Sequence, residues 1–305
     1  MRYVVALRRI HTQYKDGSAL RGFVWLGALL LASSPALPAP ALLAQTPASS
    51  PDAVALVRRA VQHRADAEAH HAPLRYLLRK VEERRDGRRD TTKEIIETRD
   101  GDVARLVAID GKPLSPEAAR AELDRLDTLA HHPELQEHRH RSEQKDAERI
   151  DHLLSLLPEA FLYQTEGVVP CGAAQCYRLR VSPNPRFHSP DLESTVLRRI
   201  AGEVWIDQNQ ERLVRLDAHF IGDVDFGFGV LGRLNQGGSV VLEQSDIGDH
   251  DWELTGLHLN LTGKALMVKP VEMHVTETAS HFSRVPANLG YRDAIELLRH
   301  TPAAQ

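Results

Sequence analysis

The sequence predicts an α+β protein with a strongly curved antiparallel sheet, a half-barrel, and about three helices that cover its concave face. Apolar and polar residues alternate through successive runs between Cys176 and Val285, as expected of strands with one dry and one wet face. Helix starts interleave with the earlier strands, and Asp-Gly turns separate those strands. We therefore expect a single domain over residues 51–300.

A targeting segment precedes this domain. A basic lead is followed by an apolar core of about ten residues, Phe23 to Ala32, and then by small residues and prolines, as in a secretory signal peptide. The core is too short to span a bilayer comfortably. We expect residues 1–44 to be a cleaved signal peptide, residues 45–50 a linker, and the mature protein periplasmic. An uncleaved N-terminal anchor is the alternative.

Three helices are predicted from their start signals. Ser50-Pro51-Asp52 supplies a cap, a first-turn proline and an acidic first turn, so a helix follows to about residue 70. Ser115-Pro116-Glu117 begins a second helix that ends near residue 129. The third occupies residues 133–157 and is stopped by Pro158.

The early strands are separated by two tight turns. Residues 75–85 read as a charged strand, and residues 92–98 and 103–109 flank Asp100-Gly101, with Asp110-Gly111 after them. Asp-Gly between β-rich runs predicts a hairpin in which both turn residues have positive φ. After Phe161 the pattern becomes wholly β.

Residue parity predicts which side chains line the buried face of the later strands. Val204 and Ile206, for example, share a face opposite Glu203 and Trp205, and a register slip of one residue would expose them. Plain core packing is the alternative for each lining residue. The predicted lining consists of Val204, Ile206, Val214, Leu216, Phe220, Leu257, Leu259, Leu261, Val271, Met273 and Val275.

A glycine-rich segment, Gly222 to Gly238, carries apolar residues between two strands. A mobile gate, or a contact with a membrane or lipoprotein partner, would use such residues. A long hairpin whose apolar residues fold back onto the core is the alternative. The predicted gate residues are Phe226, Phe228, Val230 and Leu231.

Composition and cysteine count argue against several classes of function. Aromatic residues make up 5% of the 305-residue chain, and its net charge is −4; this leaves few stacking platforms and disfavours nucleic acid. The only cysteines, Cys171 and Cys176, are spaced to close a hairpin loop as a disulfide in an oxidising compartment. Their spacing argues against redox catalysis and a thiolate zinc site.

No catalytic constellation is evident. The sequence contains no nucleophile elbow, metalloprotease helix, phosphate-binding loop or dinucleotide fingerprint. The chain is rich in histidine, but His138 and His140 are two residues apart on a predicted helix and point in nearly opposite directions. We expect no catalytic residue, no metal, no cofactor and no enzymatic activity. An enzyme with dispersed catalytic residues is the third alternative.

Several segments carry a resemblance to a known family: Tyr76–Glu83, the helix pair after Gly111–Leu114, the strand pair Gly202–Asp207 and Arg212–Leu216, and the late pair around Trp252 and Gly263-Lys264. Over residues 52–286 the chain resembles the LolA/LolB-like periplasmic lipoprotein carrier superfamily and its outer-membrane lipoprotein-sorting relatives. The resemblance implies a curved sheet whose helix-covered apolar cavity receives acyl chains. The chain lacks the anchoring cysteine expected of a receptor, which favours a carrier.

The function expected from these features is non-enzymatic binding of lipid or lipoprotein acyl chains for transfer within the cell envelope, with transient membrane contact. Each buried methylene contributes about 0.8 kcal/mol, so such a ligand needs no catalytic residue to be held. The alternative is an envelope sensing or assembly module that binds a protein partner through the same fold.

Overall fold

The computed structural model describes residues 51–84, 87–226, 232–265 and 269–300. The predicted signal peptide and linker lie outside these ranges. The helices are α1 (Pro51–Ala69), α2 (Pro116–His131), α3 (Pro133–Ser155), α4 (Leu157–Ala160) and α5 (Tyr291–His300). The strands are β1 (Leu74–Arg84), β2 (Gly87–Ile96), β3 (Val103–Ile109), β4 (Lys112–Pro113), β5 (Phe161–Cys171), β6 (Ala174–Pro183), β7 (Ile200–Asp207), β8 (Leu213–Phe220), β9 (Val224–Phe226), β10 (Gly232–Leu234), β11 (Ser239–Asp246), β12 (Trp252–Ala265) and β13 (Lys269–Arg284).

The strands form one open antiparallel sheet. Their order is β4-β3-β2-β1-β13-β12-β11-β8-β7-β6-β5, and the short hairpin β9–β10 is attached through β10 to β12. The predicted α+β class with a large antiparallel sheet is therefore confirmed. Its half-barrel curvature stays a prediction.

The three predicted helices form, but the described chain contains further helical elements. Ser115 caps α2 by accepting a hydrogen bond from the amide of Ala118 at 3.2 Å. The expectation of about three helices omitted α5, and the region predicted to be wholly β contains a 3₁₀ helix, Glu193–Arg199. Asp191, just before that 3₁₀ helix, accepts a hydrogen bond from the amide of Ser194 at 2.8 Å.

The two Asp-Gly turns differ from each other. Asp110 and Gly111 both have positive φ, 51° and 70°, as predicted. At the earlier turn only Gly101 does, with φ of 98°, so that part of the prediction was wrong. A Cβ on Gly101 would lie 2.8 Å from Glu143 Oε2, so glycine allows α3 to approach this turn closely. Gln136 of α3 donates to the carbonyl of Asp100 at 2.9 Å.

The core consists of separate clusters under different helices. Leu56 and Val57 of α1 pack with Leu179 and Ile206 of the sheet, whereas Ile150 of α3 packs on Leu242, Leu254 and Leu257. A third cluster joins α2 and α5 to the ends of β2 and β3, and a fourth joins β1, β2 and β13. Each helix that reaches the sheet therefore covers its own part of it.

Both edges of the sheet are irregular. At one edge β4 has two residues and ends in Pro113. At the other, the pairing of β5 with β6 shifts register between Thr165 and Gly167. The predicted disulfide between Cys171 and Cys176 closes the β5–β6 hairpin, with 5.9 Å between the Cα atoms.

Within the described ranges, no helix has both the length and the apolar character needed to cross a membrane.

Candidate functional site

The strand register defines a face that we call the inner face. Cross-strand partners share a face of a sheet, and one row of partners crosses seven strands. It runs Leu179, Val204, Leu216, Leu242, Leu257, Glu277, Lys80. Along this row the inner face is apolar from β6 to β12 and charged on β13 and β1.

Four predicted lining residues belong to the core of the apolar half. Val204 and Ile206 pack in the cluster beneath α1, and Ile206 is only 1% exposed. Leu216 and Leu257 pack in the cluster beneath Ile150 of α3. At these positions the inner face is covered by the chain's own helices.

Six other predicted lining residues form a second group, which we call the hairpin patch: Phe220, Leu259, Leu261, Val271, Met273 and Val275. Leu259 pairs with Val275, and Leu261 pairs with Met273. Phe220 and Leu261 meet above Gly238, where an added Cβ would lie 2.8 Å and 3.0 Å from their ring and methyl carbons.

The hairpin patch differs from the core in its burial. Phe220, Leu259 and Val275 are buried, whereas Leu261, Val271 and Met273 are half-buried. Among the described residues, none of the six belongs to a core cluster. The remaining predicted lining residue, Val214, is half-buried on β8 away from this patch.

The predicted gate segment lies at the same end of the sheet as the hairpin patch. It contains a short hairpin, β9–β10, so a hairpin forms here, as in the alternative to a mobile gate. Leu234 of β10 pairs with Gly263, which in turn pairs with Val271. Arg233 fixes this hairpin by donating to both carboxylate oxygens of Asp225, at 2.6 Å and 3.1 Å. Of the predicted gate residues, Phe226 is half-buried at the end of β9, and Phe228, Val230 and Leu231 lie outside the described residues.

A cavity of about 280 Å³ lies between β9 and the 3₁₀ helix. It is lined by Thr195, Arg198, Arg199, Asp223, Val224 and Asp225. Because this lining is mostly polar and charged, the cavity differs from the apolar space that the sequence predicts.

The charged half of the inner face contains a buried ion pair. Lys80 Nζ lies 2.7 Å from Glu82 Oε1 and 3.7 Å from Glu277 Oε1. Lys80 is 5% exposed and Glu277 1% exposed. Buried charges of this kind are stable only while they are paired, because removal from water costs several kcal/mol per ion.

Lys93 of β2 lies beside this pair and near α2. Its cross-strand neighbours are Leu78 and Leu106, and the amide of Leu106 donates to Glu122 Oε1 of α2 at 2.7 Å. The pKa of Lys93 is lowered to about 8, mainly by burial and also by the positive charges of Arg125, Lys80 and Arg139, while Glu122 opposes these effects. Lys93 therefore lies in a region of the inner face that holds a carboxylate as well as cations.

Arg139 of α3 is a second cation in this environment. Burial lowers the pKa of Arg139, Glu143 and Asp102 oppose that shift, and Arg125 adds to it. Its Nε atom is buried without a hydrogen-bond partner. Within the described part of the chain, neither Lys93 nor Arg139 forms a hydrogen bond or an ion pair.

Sequence reasoning missed this charged half of the inner face. It described residues 75–85 as a charged strand without assigning a face. The parity of Leu78, Lys80 and Glu82 places two charges on the same side as a buried leucine, but Leu77 occupies the opposite parity, so this signal is ambiguous.

Potential metal ligands converge at the disulfide. Among the described residues, three ligand-type atoms approach one another within 4.8 Å at Cys171, Cys176 and Asp207, where both sulfur atoms belong to the disulfide. Asp207 accepts hydrogen bonds from the amides of Asn209 and Gln210 at 2.9 Å and 2.6 Å. These contacts give Asp207 a structural role in the β7–β8 turn.

No protein-family model and no curated protein matches this chain. Among solved structures, a LolA superfamily protein from Nitrosomonas europaea is 9% identical, with a TM-score of 0.28, over 77% of this chain and 94% of that one. A domain described as a putative outer-membrane lipoprotein-sorting protein, from Vibrio parahaemolyticus, is 10% identical, with a TM-score of 0.27. The match covers 75% of this chain and 93% of that domain. MucB in complex with MucA(peri) is 11% identical, with a TM-score of 0.23, over 77% and 100%. The first two carry the names of the superfamily that the sequence resembles; because all three TM-scores are below 0.5, the ligand of this chain is inferred from its own residues.

Proposed function

We propose that this protein is a non-enzymatic periplasmic binding protein that shelters an acyl chain of a lipid or lipoprotein on the hairpin patch. The observation that carries the proposal is the patch itself. Its six apolar side chains lie on the inner face, outside the core clusters of the described residues, and three of them are half-buried.

The chemistry of the patch suits a hydrocarbon. Its side chains are aliphatic, apart from Phe220 and the thioether of Met273, and a flexible thioether adapts to irregular apolar partners. Burial contributes about 0.8 kcal/mol per methylene, or about 11 kcal/mol for a fourteen-carbon chain before the entropic costs of binding. Affinity for such a chain therefore requires no polar contact.

The β9–β10 hairpin supplies a route by which the ligand enters and leaves. It joins β12 beside the hairpin patch, and the segment between its strands contains the proposed gate residues Phe228, Val230 and Leu231. Transient contact of this apolar segment with a membrane surface would let an acyl chain pass onto the patch without crossing water.

Lipid analysis of the purified protein tests the proposal. We expect mass spectrometry to detect co-purifying lipid, and a fluorescent fatty acid to bind. Met273→Gln places an amide in the patch and should weaken fatty-acid binding about tenfold, which corresponds to 1.4 kcal/mol. The matched control is Val168→Gln on β5, where the side chain is 50% exposed, and binding should be unchanged.

A protein that carries no lipid and binds no fatty acid would end this proposal. If, in addition, pull-down from an envelope extract recovered a stoichiometric protein, the alternative of a sensing or assembly module would replace it. Thermal unfolding of both variants separates a loss of binding from a loss of folding.

A further inference from the structure

Two arginines line the cavity between β9 and the 3₁₀ helix, and we call them the arginine pair. They are Arg198 and Arg199, at the end of the 3₁₀ helix. Arg199 extends over Gly222, where its Cδ and Nη1 atoms lie 3.6 Å and 3.7 Å from the position of an added Cβ. Within the described ranges, neither side chain of the pair forms a hydrogen bond or an ion pair. Both guanidinium groups therefore keep their donors for a ligand in the cavity.

The two aspartates of the same cavity are held by other donors. Arg233 of β10 donates to the two carboxylate oxygens of Asp225 at 2.6 Å and 3.1 Å, and to Asp223 Oδ2 at 3.3 Å. The amide of Gln236 donates to the remaining oxygen, Asp223 Oδ1, at 2.9 Å. Each of these carboxylate oxygens thus has a donor from β10 or from the residues just after it, and none of these donors belongs to the arginine pair.

The charges around the cavity do not cancel. Arg233 and the arginine pair provide three positive charges against the two negative charges of the aspartates, which leaves one net positive charge. Glu193, the acidic residue of the 3₁₀ helix, lies 2.8 Å from Arg149 of α3 and is paired there. A guanidinium presents parallel N–H donors to two oxygens of one anion. Charge and donor geometry therefore favour an oxyanion with a single negative charge.

The cavity adjoins the hairpin patch. The amide of Ile221, which follows the patch residue Phe220, donates to the carbonyl of Arg199 at 2.9 Å. Val224 lines the cavity, is 2% exposed, and lies on the same cross-strand row as the patch residue Val271. Neighbouring strands are about 4.8 Å apart, so the two valines are about 14 Å apart across three strand pairings. The row runs Val224, Leu234, Gly263, Val271.

We propose that the arginine pair binds the singly charged oxyanion head group of the acyl-chain ligand, such as the carboxylate of a fatty acid. The acyl chain then lies on the hairpin patch while the head group occupies the cavity. This proposal rests on the proposed function, because the anion belongs to the same ligand. It adds a preference for anionic over uncharged lipids, which the apolar patch by itself does not provide.

Titration with three probes tests the arginine pair. The probes are myristate, uncharged monomyristoyl glycerol and sodium acetate, each titrated calorimetrically into the purified protein. Myristate should bind about tenfold more tightly than monomyristoyl glycerol, as expected for hydrogen bonds to a charged group. Replacing both arginines, Arg198→Gln with Arg199→Gln, should remove this preference and leave the affinity for monomyristoyl glycerol unchanged. Acetate, which lacks the acyl chain, should bind far more weakly than myristate.

A matched control separates the arginine pair from general charge effects. Arg120→Gln removes an exposed arginine from α2, and the preference for myristate should be unchanged. The arginine pair is also exposed, so its variants should fold, and thermal unfolding checks this. Arg199→Lys keeps the charge but loses the guanidinium fork, and it should weaken myristate binding by a smaller factor than Arg199→Gln. Met273→Gln in the hairpin patch should weaken the binding of both lipids.

The outcomes distinguish this proposal from the proposed function. Equal binding of myristate and monomyristoyl glycerol to the wild-type protein overturns the arginine-pair proposal and leaves acyl-chain binding standing. A preference for myristate that survives in the double arginine variant does the same. If neither lipid binds, the proposed function and the arginine-pair proposal both fail. Acetate binding as tight as that of myristate overturns the assignment to a lipid head group, because the acyl chain then contributes nothing.

Discussion

The two halves of the inner face solve the problem of burial in different ways. Beneath α1, strands β5–β7 meet the helix through apolar side chains, and Leu179 is fully buried. On β1, β2 and β13 the same face carries Lys80, Lys93 and Glu277. The first half is stable without any ligand, because burial of hydrocarbon is favourable by itself. The second half buries charged groups and depends on their pairing, as in the contacts of Lys80 with Glu82 and Glu277.

The comparison predicts that truncating a buried side chain in the apolar half of the inner face has the largest effect on stability. Leu179→Ala should lower the free energy of unfolding by about 4 kcal/mol, because it removes buried methylenes and leaves a cavity. Leu261→Ala in the hairpin patch should cost about 1 kcal/mol, since that side chain is half-buried. Urea denaturation of both variants checks this contrast, and equal losses would mean that the patch is ordinary core.

In the charged half, the largest effect should come from breaking the buried ion pair. Lys80→Gln leaves Glu82 and Glu277 without their shared cation and should lower the free energy of unfolding by about 3 kcal/mol. The control is Lys112→Gln on the exposed strand β4, with an expected change below about 0.5 kcal/mol. Urea denaturation measures both variants. If Lys80→Gln left the free energy of unfolding unchanged, water would be screening this pair.

The disulfide should contribute less to the free energy of unfolding than these buried residues do. Replacing Cys171 and Cys176 together by serine opens a loop of only a few residues, so the expected loss is about 2 kcal/mol. Thermal unfolding with and without reductant provides the measurement. Reductant should lower the melting temperature of the wild-type protein to that of the double variant and leave the variant unchanged.

The smallest effect concerns Lys93 and depends on pH. Because the folded pKa is about 8 against an ordinary value of 10.5, the folded state releases a proton that the unfolded state still holds between these values. Stability should therefore rise from pH 8 to pH 10.5 and carry a constant penalty below pH 8. Lys93→Gln should be more stable than wild type at pH 7, by about 1 kcal/mol after discounting for partial exposure.

Urea denaturation in phosphate-free buffer at pH 7 and pH 10 checks this expectation for Lys93. The advantage of the variant should shrink at the higher pH. An advantage that is the same at both values would mean that Lys93 is solvated in the folded protein.

Sequence patterns predicted those elements in which local and global preferences agree. The Ser115 cap and the Asp110-Gly111 turn follow from chemistry within a few residues. The face of Val204 and Ile206 follows from strict alternation. The helix α5 was missed, although Asp293 and Arg299 lie in its first and last turns and Ile295 and Leu298 are buried. Its ten residues provide little periodicity.

The charged half could not be predicted from parity alone. Apolar residues occupy both parities of β1, since Leu77 and Leu78 are adjacent, so alternation does not identify the buried side. The partners that stabilise Lys80 and surround Lys93 come from β13, α2 and α3, far away in the chain. Buried charge departs from the binary pattern, and such departures are concentrated at sites with a function.

The irregular ends of the sheet have a consequence for association between copies of the protein. An open sheet offers unpaired amides and carbonyls at its first and last strands, and a matching strand from another molecule can add there. Here one terminal strand is two residues long and closes with a proline, and the other is bent at Gly167 and tied back by the disulfide. Neither offers a long straight template, so the fold resists edge-to-edge polymerisation.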